Sequence, residues 1–114
     1  MSATPTEQEL RETYEQTLLD EVKNYLDITW ADTETDMKLL GQIRRGIAYI
    51  SAKTGVPASA FAGESANDRA RELLFNYVLY DRAGAVDQFK RNYRSDIVGL
   101  RIKWEVSNAA RAKS

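Results

Sequence analysis

The sequence predicts an all-α fold, a small bundle of about four helices with a partly extended, basic C-terminal tail. Three observations carry that prediction. Apolar residues recur every three or four positions along most of the chain, the period of a helix that buries one face. Thr, Asp and Asn residues precede the periodic stretches, where helix caps belong, and Gly follows two of them. The chain has 114 residues, 43% hydrophobic and 29% charged, which is the size and balance of one folded domain rather than a disordered segment. The expected division is a helical domain over 1–106 and a flexible basic tail over 107–114.

The first helix is predicted over about residues 7–26. Leu10, Tyr14, Leu18, Val22 and Tyr25 repeat at helical spacing, and Leu19 and Leu26 widen the stripe. Two starts are open: Thr4 capping with Pro5 in the first turn, or Thr6 capping with Glu9 in box spacing. Leu18, Val22 and Leu26 are expected in the core. Leu10 and Tyr14 fall early enough to extend toward a neighbouring molecule. Asp27–Asp32 breaks the period, and Ile28 and Trp30 are expected to fold back over the core.

Acids on alternate positions at Asp32, Glu34 and Asp36 suggest a calcium loop at first sight. Such a loop needs Gly where Met37 stands and a carboxylate where Ile43 stands, so helix capping by Thr33 and Asp36 is the better reading. Met37, Leu40, Ile43, Ile47 and Ile50 then define a second helix over about 34–53. Gly41 and Gly46 each weaken it by about 1 kcal/mol relative to Ala, so both are expected where another backbone packs closely. Gly55 ends the helix in a left-handed cap and Pro57 prevents its continuation. Phe61 is the bulky residue expected to plug the core from the connection.

Ser65 or Asn67 caps a third helix over about 67–83, with Ala70, Leu73, Leu74, Tyr77 and Val78 facing inward. Ala83-Gly84-Ala85 reads as a tight turn between antiparallel neighbours. Val86, Phe89, Tyr93, Ile97, Leu100 and Trp104 continue at spacings of three or four, a helix to at least residue 99. From Leu100 to Val106 two patterns coexist: the helical stripe continues, yet the residues also alternate as in a strand.

Several function classes are excluded or weakened by composition. The chain has no Cys and no His, which removes disulfides, Cys/His zinc sites, thiol nucleophiles and imidazole bases together. No Gly-x-Ser-x-Gly elbow and no phosphate-binding Gly-rich loop occurs. We therefore expect no enzyme activity, no catalytic residue, no metal and no cofactor. No apolar run reaches the roughly 20 residues of a membrane span, and the polar, acidic start does not read as a secretory signal.

Charge is divided along the chain. Residues 1–40 hold ten Asp or Glu against three Lys or Arg, whereas residues 41–114 hold seven against thirteen. That split suits head-to-tail packing of copies, and it also follows from the preference of acids for helix N-termini. Lys90, Arg91, Arg94, Arg101, Lys103, Arg111 and Lys113 make the C-terminal stretch basic, which admits weak electrostatic contact with DNA or an acidic protein. The link between the second and third helices, about ten residues with Pro57, is too long for a helix-turn-helix.

Leu18-Leu19-Asp20-Glu21-Val22-Lys23-Asn24-Tyr25-Leu26-Asp27-Ile28, the acidic start at Asp32–Asp36, and the helix ending Ile50…Lys53-Thr54-Gly55 follow in a set order. Ala70, Leu73-Leu74, Asn76-Tyr77-Val78, Tyr80, Phe89, Tyr93, Asp96-Ile97 and Leu100 complete it. In order and spacing, over residues 18–104, the chain resembles the head–tail connector (head-completion, or adaptor) proteins of long-tailed bacteriophages. The resemblance implies a structural virion protein of the neck, assembled in the host cytoplasm. Its partners would be further copies of itself in a ring of about twelve, the portal protein, and a stopper or tail-completion protein. Phage DNA would pass through the channel without sequence-specific binding, and no membrane would be involved. The C-terminal segment would contact the portal through Leu100, Arg101, Ile102, Lys103, Trp104, Arg111 and Lys113. The alternative is a cytoplasmic helical regulatory or DNA-associated binding module.

Overall fold

A computed structural model describes residues 6–63 and 66–113, with side chains to Ala110. It contains five helices: α1 (Glu7–Tyr25), α2 (Thr33–Thr54), α3 (Asp68–Arg82), α4 (Val86–Asn92) and α5 (Arg94–Lys113), with a 3₁₀ turn at Ala58–Phe61. The described residues include no strand. The fold is all-α, as the periodicity predicts.

Helix α2 is the axis of the molecule. It has 22 residues and packs against α1, α3 and α5. Its buried residues are Leu39, Ile43, Gly46, Ile50 and Thr54. Met37, expected inside, is 70% exposed, and Leu39 takes the inward place. The first turn faces outward because Asp36 is pinned to Lys23 of α1 at 2.9 Å. The cap also lies one residue earlier than predicted: the Asp32 carboxylate accepts from the Glu34 amide at 3.3 Å and from the Thr35 hydroxyl at 2.6 Å. At the other end Gly55 adopts φ 84°, the left-handed cap.

Helix α1 starts at Thr6, whose hydroxyl accepts from the Glu9 amide at 3.1 Å. The alternative start at Thr4 lies outside the described residues, as does a Ser65 cap. Leu18, Leu19 and Val22 are buried, while Leu10 is 58% exposed. Tyr14, expected to reach a neighbour, folds back instead. Its phenol donates to the Ala58 carbonyl and accepts from the Phe61 amide at 3.2 Å, stitching α1 to the 3₁₀ turn. Burial raises the phenol pKa, opposed by the Phe61 hydrogen bond. Ile28 covers the core as expected, but Trp30 points to solvent. Phe61 is fully buried and fills the centre from the turn.

The third helix matches its prediction closely. The Asn67 side chain accepts from the Ala70 amide at 3.1 Å, and the five predicted inner residues are all buried. At its end Gly84 has φ 69°. Ala85 donates to the Tyr80 carbonyl at 2.8 Å and Gly84 to the Asp81 carbonyl at 3.0 Å, the double bond of a Schellman stop.

The predicted fourth helix is divided at Tyr93, where the backbone leaves helical geometry at φ −109°, ψ 13°. The bonds Tyr93→Phe89 and Ile97→Tyr93 persist at 2.9 and 3.0 Å, so the break bends the segment rather than opening a loop. The aromatic rings account for the bend. Tyr93 stacks on Phe89 at 4.9 Å and meets Tyr80 edge-on at 5.8 Å. Phe89 also meets Tyr77 at 5.3 Å and Tyr49 at 6.4 Å. One fully buried phenyl ring thus ties α4 to α2 and α3.

The partly extended tail is corrected: α5 runs unbroken as helix through 107–113. Ala109, Ala110 and Ala112 are the strongest helix formers, and neither Gly nor Pro follows Gly99. Residues 100–106 are likewise helical, with Leu100 and Trp104 turned inward and Ile102 and Val106 outward.

The molecule is a slab of 50 × 47 × 18 Å. Its radius of gyration, 15.3 Å, exceeds the about 13 Å expected for a compact chain of this length. Two helix layers account for the thickness, and projecting helix ends account for the breadth.

Candidate functional site

Two surfaces built from α5 stand out. The first is its projecting end. From Arg101 to Ala110 only Trp104 is sheltered. Trp104 rests against the α2 stop, where a Cβ on Gly55 would sit 3.6 Å from its ring. Beyond that anchor the helix continues for nine residues, about 13 Å. Ile102 and Val106 are 51% and 64% exposed and lie one turn apart on the outer face. Val98, 38% exposed, begins the same stripe.

The predicted contact set is therefore divided by the structure. Leu100, at 3% exposure, belongs to the core, and Trp104 packs against it. Arg101, Ile102 and Lys103 are exposed. Arg111 and Lys113 lie in α5, and their side chains are outside the described residues. Val98 and Val106 were missed by sequence reasoning. The signal was available: Val98, Ile102 and Val106 are spaced by four, parallel to the Leu100–Trp104 stripe.

The second surface is a basic groove. Tyr49 and Lys53 of α2, Lys90 of α4, and Arg94, Ile97, Val98 and Arg101 of α5 line it. The Lys90 and Lys53 ammonium groups lie 5.1 and 5.9 Å from the Tyr49 ring centroid. Among the described residues, the one ion pair to a groove cation is Glu105 with Arg101, at 3.9 Å. Sequence reading grouped the α4 and α5 cations as one basic C-terminal stretch. It did not bring Lys53 to them, because nearly forty residues separate them and only the packing of α2 on α5 closes that distance.

On the opposite side, Glu15 and Arg44 form a two-pronged pair at 3.0 and 2.7 Å. The Arg44 hydrogen bond holds the Glu15 carboxyl below its usual range. Beyond it the first two turns of α1 project with Glu7, Glu9, Leu10 and Glu12 exposed. Among the described residues no cluster of carboxylates has the spacing of a metal site, and no helix is long and apolar enough to cross a membrane.

No family model matches the chain, and no curated protein or solved structure matches it either.

Proposed function

We propose that this chain is a structural adaptor that acts by assembly, as the head-completion proteins of tailed phages do. In this reading, copies form a ring below the portal, extend the DNA channel, and present a surface to the next neck component. The projecting end of α5 is the portal-contacting arm. The observation that carries the proposal is the solvent-facing apolar pair Ile102 and Val106 on a helix that outruns its own bundle. An unsupported two-turn helix gains little from its own hydrogen bonds, since helices this short are marginal in water. Packing its apolar face into a partner groove supplies what it lacks. Ordered likeness over residues 18–104 supplies the kind of partner.

The test is binding to purified portal rings, read by co-sedimentation and by electron microscopy. Deleting 105–114 is expected to leave a folded domain that no longer decorates the rings. Ile102→Glu with Val106→Glu should do the same without shortening the chain. Portal binding that survives both changes refutes the arm. A chain that ignores portal and instead forms a small dimer with sequence-dependent DNA binding is the regulatory module.

A further inference from the structure

We propose that the projecting acidic start of α1 in one copy docks in the basic groove between α2, α4 and α5 of the next. The occupant is a second copy of this chain, and the contact runs head to tail. It rests on the assembly reading above only in making self-association part of the function.

The groove needs an anion. Lys53 and Lys90 approach the same tyrosine ring, with Arg94 and Arg101 beside them, and among the described residues only Glu105 offsets this charge. Cations held this close repel one another, and a carboxylate brought between them relieves that repulsion. The groove is also partly apolar, since Tyr49, Ile97 and Val98 line it. An acidic helix carrying one apolar residue satisfies both features.

The chain contains such a helix end. The first two turns of α1 carry Glu7, Glu9 and Glu12 with Leu10, Arg11 being the one cation among them, and among the described residues none of the three acids is in an ion pair. A polyanion such as DNA fits less well, because it gains nothing from the apolar lining.

Docking within one molecule is ruled out by the geometry of α2. Glu15 fixes the α1 end beside Arg44. Lys53 follows Arg44 by nine residues, which at 3.6 per turn is about 180° around the helix. The acidic end and the groove therefore lie on opposite faces of α2, and only another copy brings them together. Because the two surfaces lie on opposite faces of α2, a single partner cannot engage both at once, so the contact is not a reciprocal two-fold one. It propagates copy to copy until a ring closes or a filament grows.

Complementary variants test this in solution by analytical ultracentrifugation. One carries Glu9→Lys and Glu12→Lys; the other carries Lys90→Glu and Arg94→Glu. All four positions are exposed, and circular dichroism checks that both variants fold. The full chain at low salt is expected to form higher oligomers, weakened at least about tenfold when salt rises from about 50 to 500 mM. Each variant alone should lose them. Mixed together, the groove of the first accepts the α1 end of the second, and the charge-reversed α1 end and groove are complementary as well, so the mixture regains the assembly that each variant alone has lost. A full chain that stays monomeric at low salt overturns the proposal, and so does a mixture of the two variants that stays monomeric. Duplex DNA binding that requires Lys90 and Arg94, without self-association, overturns it in favour of a nucleic-acid groove. Portal binding is a separate readout: a full chain that binds portal but does not self-associate sinks this contact alone, and one that self-associates but ignores portal sinks the arm alone.

Discussion

Gly41→Ala and Gly46→Ala are predicted to change stability in opposite directions although both lie in α2. Replacing Gly by Ala inside a helix gains about 1 kcal/mol of propensity. At Gly41 nothing opposes that gain: the nearest atom to a new Cβ is an Arg45 guanidinium nitrogen, 3.6 Å away. At Gly46 the same methyl would lie 2.7 Å from Leu74 Cδ1 and 2.9 Å from Tyr77 Cδ1. Neither neighbour can yield cheaply. Leu74 is fully buried, and the Tyr77 ring is held between Tyr49 at 6.0 Å and Phe89 at 5.3 Å. Overpacking of this kind costs about 1–3 kcal/mol. Subtracting the propensity gain from the upper part of that range leaves Gly46→Ala destabilised by about 1–2 kcal/mol. The midpoint should fall by about 4–8 °C. Gly41→Ala should instead rise by about 0.5–1 kcal/mol. Urea unfolding followed by helical circular dichroism, extrapolated linearly, measures both. If Gly46→Ala is as stabilising as Gly41→Ala, the close packing of α3 on α2 described above is wrong.

Tyr14→Phe removes the hydroxyl that accepts from the Phe61 amide. Leaving that amide unpaired in a part-buried site should cost about 1–3 kcal/mol in the same urea assay, and an unchanged midpoint would show that α1 is not stitched to the turn. Glu15 has a folded pKa below its unfolded value because of Arg44. Its stabilisation is therefore complete above the unfolded value, about pH 4.3, and is lost as pH falls through the folded value. Glu15→Gln should lower stability at pH 7 by no more than about 1 kcal/mol, and the gap from the parent should close in acid. A gap that persists at low pH assigns the effect to packing instead of charge.

The fold class was legible in the sequence because each helix carries its own period and its own punctuation. Asn67, Gly55 and Gly84 act through bonds to residues only a few positions away, so their roles follow from local chain geometry. The inner face of α3 was equally legible, since its five apolar residues define a single stripe. Periodicity was weaker where two stripes compete. Leu39 displaced Met37 and Leu40 because the Lys23–Asp36 pair turns the start of α2 outward, and that pair joins two helices.

What only the tertiary structure decided are the properties that depend on distant neighbours. Gly41 and Gly46 are indistinguishable by sequence, yet one meets only the far end of the Arg45 side chain and the other meets α3. Tyr93 bends the chain because Tyr80 and Phe89 hold its ring. Leu100 and Ile102 are both apolar residues of one predicted contact, but α2 and α3 cover the first and leave the second to solvent. Lys53 joins Lys90 and Arg94 only through packing. The sequence by itself determined that there are amphipathic helices and, to within about a residue, where α2, α3 and α4 begin, but not the separate start of α5 at Arg94. Which faces remain open, and hence where this protein can meet a partner, is set by the helices covering one another, a relation between residues far apart in the chain.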